Sequence, residues 1–254
     1  MTELEPATRD ALAELLLSMA DDELVIGYWD SEWTGIAPML EEDVAMSSIS
    51  QDEIGHAAAL YGMLGELTGR DPDAIAYGRE AAGFRHAALL DHPRTDWAFT
   101  IARRFLYETA DAARLEAVSA SSHVPLAQLA AKMRREERYH LMHVHAWLRR
   151  LTDAGGEVRQ RLDDAIARLG PDAATVLGPL DGEEALLAAG ILPEPMAAIR
   201  ERWSERTSAT LEALGLPRLD ASLAPAGREV HGDAFDWLHG EMTMVARSEV
   251  GATW

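Results

Sequence analysis

Cysteine is absent from the 254 residues. That excludes disulfides, thiolate zinc sites, iron–sulfur clusters and a cysteine nucleophile. Positive charge is scarce: 23 Lys and Arg stand against 43 Asp and Glu, a formal net charge of −20. A nucleic-acid binder needs a basic footprint, so that class is excluded. No apolar run reaches the ~18 residues of a membrane-spanning helix. The first residues, Met1-Thr2-Glu3-Leu4-Glu5-Pro6, lack the basic start and apolar middle of a secretion signal, which leads us to expect a cytoplasmic protein. Phe and Tyr are few, at 4 and 5, yet there are 7 Trp, a residue suited to contacts between protein chains.

What is abundant is Ala, Leu, Glu and Arg, with few β-branched residues, a composition that favours helix. No segment alternates as a strand would. Apolar periodicity predicts long helices from about Thr8 to Asp30, Met39 to Leu67, Asp96 to Ser121 and Pro125 to Thr152. Gly69, Asp71-Pro72, Gly83 and His92-Pro93 break the stretch 68–95, where only short helical pieces are expected. Shorter helices are expected over 157–169, 181–188, 193–213 and 229–247. The fold class is therefore all-α. We expect one domain over 1–254: a four-helix bundle over about 8–152 with one long crossover, and a C-terminal helical extension over about 157–248.

The apolar seams contain charge. Met46, Ile49, Leu60, Met63 and Leu67 share one face of the second long helix, and Glu53 and His56 complete it. Leu129, Met133, Val144, Trp147 and Leu151 share a face of the fourth, completed by Glu137 and His140. Glu23 interrupts the seam Leu12, Leu16, Met19, Ile26, and Glu108 interrupts Ile101, Phe105, Ala112, Leu115. Glu23 precedes Glu53 by 53 − 23 = 30 residues, and Glu108 precedes Glu137 by 137 − 108 = 29. The two halves thus repeat one pattern: Glu, then Glu-x-x-His.

Burying ionised carboxylates costs several kcal/mol apiece unless they are paired. Two divalent ions would balance four carboxylates, and Glu-x-x-His sets both side chains on one helical face. A Glu from each of two helices plus Glu-x-x-His from each of two others is the ligand set of di-iron and di-manganese carboxylate bundles. Oxygen and imidazole donors suit iron, or manganese. With 24 Glu and 9 His, shuffling yields 24 × 9/254, about one Glu-x-x-His, so a single occurrence means little. Two, both in apolar seams and both preceded by a seam Glu, mean more. The competing reading is a buried polar network of Glu, His and Arg without metal.

The segments Asp22-Glu23-Leu24-Val25-Ile26, Trp33 through Ala37-Pro38, Thr100-Ile101-Ala102-Arg103-Arg104, Glu137-Arg138-Tyr139-His140-Leu141 and Leu238-His239-Gly240-Glu241-Met242, with the closing Trp254, carry a family resemblance. The chain resembles, over nearly its whole length, the ferritin-like proteins of the bacterial phenylacetyl-CoA ring 1,2-epoxidase complex, and most closely the C-type component. C-type components typically lack much of the metal set, whereas here Gln51-Asp52-Glu53-Ile54-Gly55-His56 is similar to the corresponding stretch of the catalytic A-type component, and all six ligand positions are filled. The resemblance implies a component of a di-iron monooxygenase of phenylacetate catabolism. Its implied partners are an A-type catalytic component, an electron-supplying reductase and an aromatic acyl-CoA, in a hetero-oligomer or homodimer without membrane or nucleic acid. It also implies two iron ions, one on Glu23, Glu53 and His56, the other on Glu108, Glu137 and His140, with Glu53 and Glu137 bridging. The alternatives are a metal-free structural component supporting an A-type partner, and a stand-alone di-iron or di-manganese oxidase.

Other residues carry weaker signals. Asp52 and Asp111 are read as surface charges before orienting groups for the histidines, and Arg104 as a solvated side chain at least as readily as a partner of a carboxylate. His143 and His145 are read as surface or interface residues. His86, His92, His123, His231 and His239 show no partner pattern. Trp29 and Trp33 are read as core or interface before cavity wall. Lys132, Arg134, Arg135 and Arg138 form a local basic cluster fit for an anionic ligand or acidic partner.

Overall fold

The computed structural model describes residues 4–219 and 228–248. Trp254 lies outside them. Among the described residues there are nine α-helices and no strand. They are α1 (Pro6–Ser31), α2 (Leu40–Thr68), α3 (Pro72–Tyr77), α4 (Trp97–Val118), α5 (Val124–Ala154), α6 (Gly156–Ala173), α7 (Glu183–Ala188), α8 (Met196–Ala213) and α9 (Asp233–Ser248). None is long and apolar enough to cross a membrane.

Local chemistry explains most of the boundaries. Gly69 ends α2 because it takes φ +74°, open to glycine, and returns its N–H to Gly65 O at 2.8 Å. Asp71 caps α3, and Pro72 opens its first turn. Asp96 accepts the Phe99 N–H at 2.9 Å and starts α4. The His123 ring does the same for α5, taking the Leu126 N–H at 3.3 Å. One boundary departs from expectation. A helix is expected over 157–169, but α6 continues through Pro171 to Ala173. A proline in the last turn removes one N–H, and burial of Ala173, Val176 and Leu177 holds the segment instead.

The chain forms two compact units. Among the described residues, the first comprises 12–93 and 228–248, the second 4–11 and 94–219. In the first unit, α1 from Leu12 onward buries Leu12, Leu16, Met19 and Ile26, and α2 buries Met46, Ile49 and Leu60. Each such side chain contributes about 1.5–3 kcal/mol. Gly27 lets the two helices approach: a Cβ there would lie 2.9 Å from Ile54 Cγ1 and 3.2 Å from Glu53 Cβ. The α9 helix packs on α3 and on the turn 81–83. In the second unit, α4 is central, with α5, α6 and α8 packed on it. The helix is buried at 18 of its 22 positions, so its Arg103, Arg104, Glu108, Asp111 and Arg114 leave water together with its apolar residues.

Candidate metal centre

Each unit contains one of the two predicted triads. In the first unit Glu23 is on α1, and Glu53 and His56 lie one turn apart on α2. Exposure is 0% for both glutamates and 3% for His56. His56 Nδ1 lies 3.4 Å from Glu23 Oε2 and 3.7 Å from Glu53 Oε2. In the second unit Glu108 is on α4, and Glu137 and His140 are on α5. All three are buried. His140 Nδ1 lies 3.3 Å from Glu137 Oε2 and 3.7 Å from Glu108 Oε1. Within each triad the three residues offer ligand atoms less than 4.8 Å apart.

These distances allow a test of fit. A charge-assisted N–H···O bond closes to about 2.7–2.9 Å. Two donors each about 2.1 Å from one ion, at tetrahedral or octahedral angles, stand about 3.0–3.4 Å apart. One imidazole–carboxylate separation in each triad, 3.4 and 3.3 Å, falls in that range; the other, 3.7 Å in both, exceeds it, and none is a closed hydrogen bond. The same imidazole atom, Nδ1, faces the carboxylates in both triads. Two carboxylates and a neutral imidazole carry −2, which one divalent ion balances. The residues therefore fit a metal of the iron or manganese kind.

The surroundings correct two expectations. Arg104 is not solvated: it is fully buried and its guanidinium pairs with Glu108 one turn away. Asp111 is not a surface charge either. It is buried and takes Arg114 Nε at 2.9 Å and Nη2 at 2.5 Å. Both follow from the all-round burial of α4, which a seam on one face does not predict. Asp52 is half-buried. Trp29 is core: it donates its indole N–H to Leu90 O at 2.9 Å and stacks on Trp237.

Two groups beside the first triad escaped the sequence reading. Asp21 and Asp22 immediately precede Glu23 and are fully buried. Asp21 accepts the Tyr61 hydroxyl at 2.5 Å, the Arg79 guanidinium at 2.5 and 2.9 Å, and the Arg85 N–H at 2.6 Å. Burial first, and then the Asp21 charge, push the Tyr61 hydroxyl well above its ordinary pKa. Asp22 accepts the Ala87 N–H at 2.7 Å and the Arg228 guanidinium at 2.8 and 3.1 Å. Glu23 thus directly follows two positions of α1 that are pinned by buried ion pairs. A signal was present: three successive acids between Met19-Ala20 and Leu24-Val25 cannot all reach solvent from a buried helix.

The second unit also has a cavity of about 560 Å³ with Glu137 in its lining. Arg134, Arg135, Arg138 and Arg206 line it, with Trp203 buried in its wall and donating to Thr109 Oγ1 at 2.9 Å. Arg134 bonds Ser119 and Arg206 pairs with Glu116, while Arg135 and Arg138 have no bonding partner among the described residues. His145 lines this cavity too.

The model of the family described as phenylacetic acid catabolic protein matches residues 1–254, the whole chain. The chain belongs to that family. Among its relatives is the C component of the 1,2-phenylacetyl-CoA epoxidase of Escherichia coli (strain K12). It is 28% identical over 246 residues, 96% of this chain and 99% of the relative. The A component of the epoxidase from the same organism is 24% identical over 221 residues, 85% of this chain and 71% of the relative. This member of the family is therefore similar to two different components of one enzyme.

Proposed function

We propose that this chain is a metal-bearing component of a multicomponent di-iron oxygenase that epoxidises the aromatic ring of phenylacetyl-CoA. In this reading Glu23, Glu53 and His56 hold one iron, and Glu108, Glu137 and His140 hold the other. The observation that carries it is the pair of buried Glu, Glu, His triads. Family membership and the two epoxidase relatives support the chemistry. When bound, reduced iron supplies two electrons to O2, so that one oxygen atom enters the ring and the other leaves as water with two protons. The chain's own residues supply the carboxylates and imidazoles, exclude water by burial, and fix Glu23 through Asp21 and Asp22. The electrons come from a separate reductase, and an A-type component is the expected partner. The cavity lined by Glu137 suits an acyl-CoA: its arginines meet phosphates, and Trp203 and the small residues of α4 meet the apolar part.

One observation favours a second reading. The Arg104–Glu108 pair already compensates one carboxylate, so the second triad carries −2 + 1 = −1 rather than −2. A metal-free polar network there would suit a structural role. Metal content per chain, measured by plasma mass spectrometry on protein purified without chelators, separates the readings. About two irons support the proposal. One iron confines it to the Glu23 triad. None, even after anaerobic ferrous addition, refutes it in favour of the structural role. Two manganese ions, with turnover of the isolated chain, favour the stand-alone oxidase.

A further inference from the structure

The first unit has a second cluster of titratable groups, remote in sequence from the Glu and His triads. His86 Nε2 meets Asp91 Oδ1 at 2.7 Å. His231 Nδ1 meets both oxygens of Asp91, at 3.2 and 3.4 Å, and its Nε2 meets Phe84 O at 3.1 Å. The two imidazoles stack with centroids 3.9 Å apart and planes 13° apart, and Phe235 of α9 lies against both.

Two histidines and a carboxylate suggest a metal, but the stacking opposes it. An imidazole donates to a metal within its ring plane. Two nearly parallel rings 3.9 Å apart can both reach one carboxylate oxygen at 2.7 and 3.2 Å, but an ion about 2.1 Å from both would lie far out of both ring planes.

The hydrogen bonds define the protons instead. His231 faces a carbonyl with Nε2 and a carboxylate with Nδ1. Both partners only accept, so both nitrogens carry hydrogen and the ring is an imidazolium. His86 donates from Nε2 to Asp91, while its buried Nδ1 has no bonding partner among the described residues, so that ring is neutral. One shared proton charge avoids two facing cations.

We propose that His231, His86 and Asp91 form a one-proton clasp holding the C-terminal segment 228–248 on the loop 79–91, and through Arg228 and Asp22 the turn of α1 that carries Glu23. The titratable groups around the clasp are Asp91 from the loop, Asp21 from α1, and His239 of α9 across Phe235. Arg79 and Arg228 are bound to Asp21 and Asp22. The clasp stands independently of any metal in the triads.

The pH dependence has two limbs. Burial opposes the His231 charge, but its bonds to Asp91 and to Phe84 O outweigh it and raise the pKa. Its contribution is complete below the ordinary histidine value of about 6.5 and is lost as pH rises through the raised one. Burial lowers the His86 pKa despite the Asp91 bond. Below about 6.5 the released His86 takes a proton that the clasped one refuses, so acid also opens the clasp. Protection of the segment is therefore bell-shaped around that value.

The test is hydrogen exchange of residues 233–248 in the full chain, as protection factors from about pH 5 to about pH 9, in wild type and His231→Gln. Wild type should give the bell. The variant should lose the alkaline limb, its protection near pH 6.5 falling at least about threefold. Superimposable profiles overturn the proposal. Nitrogen-15 NMR of the unaltered protein near pH 6.5 keeps it falsifiable if the variant unfolds. A doubly protonated His231 ring and a neutral Nε2–H His86 ring are expected, and two neutral rings overturn it. Stoichiometric zinc binding by calorimetry that His231→Gln reduces by one equivalent overturns it in favour of a metal site.

Discussion

At the scale of single residues, Glu108 is shared between two roles. Its carboxylate pairs with the buried Arg104 guanidinium and also faces His140. Removing one partner of a buried ion pair strands the other, at a cost of about 3–5 kcal/mol. Arg104→Met should lower the stability of metal-free protein by that amount in urea titration. Ferrous iron should restore part of the loss if the Glu108 triad binds it, because the ion then compensates the stranded charge. No recovery would mean that the triad is only a polar network. The ligand assignment has its own check: Glu53→Ala and His140→Ala should each lower bound metal at least about tenfold while circular dichroism retains most of the helix, since a first ligand bond exceeds the tenfold to hundredfold set by orienting groups alone. Wild-type metal content in both variants would refute the assignment. The burial of these six side chains was legible in the sequence because charge in an apolar seam is anomalous. Asp21, Asp22, Arg104 and Asp111 were less legible, because helices buried all round have no solvent face from which a charge can be told apart.

At the scale of helices, the approach of α1 to α2 depends on Gly27. Both the Ile54 side chain and the Glu53 Cβ crowd the space a side chain would need, so Gly27→Val must push the helices apart. Overpacking of this kind costs about 1–3 kcal/mol, and here it also moves Glu53 away from Glu23. The expected result is a lower thermal midpoint together with weaker metal retention in dialysis; a drop in midpoint with normal retention would separate packing from the site. The groove formed by α4, α5 and α8 makes a different prediction. A charge-assisted hydrogen bond contributes about 1.5–3 kcal/mol, about tenfold or more in affinity. Arg135→Glu with Arg138→Glu should therefore weaken binding of coenzyme A by at least that factor in calorimetry. Unchanged affinity would remove this cavity from the substrate path. The Arg134, Arg135, Arg138 cluster was visible in the sequence, but α8 was not placed against it: Trp203 and Arg206 are more than 60 residues downstream, and nothing in their spacing points to α5.

At the scale of the whole molecule, a net charge of −20 makes self-association of like surfaces costly and favours a partner with basic surface. Apolar side chains at the end of α1 and start of α2, among them Ile36, Leu40 and Val44, are exposed. Co-expression with an A-type relative from the same organism should yield one complex on gel filtration, and Leu40→Glu with Val44→Glu should weaken it. Two separate peaks for the wild-type pair would count against the multicomponent reading.

Composition and periodicity alone determined the all-α class, nearly every long-helix boundary and the repeated Glu, Glu-x-x-His pattern, because helix propensity, capping and the 3.6-residue seam are local properties. Tertiary structure decided what surrounds those residues. It pinned Asp22 with Arg228, 206 positions away, and stacked His231 on His86. It also paired Arg104 with Glu108 inside a helix that has almost no exposed face. Such contacts depend on which helix packs against which, and burial makes each ion pair obligatory only after that packing exists.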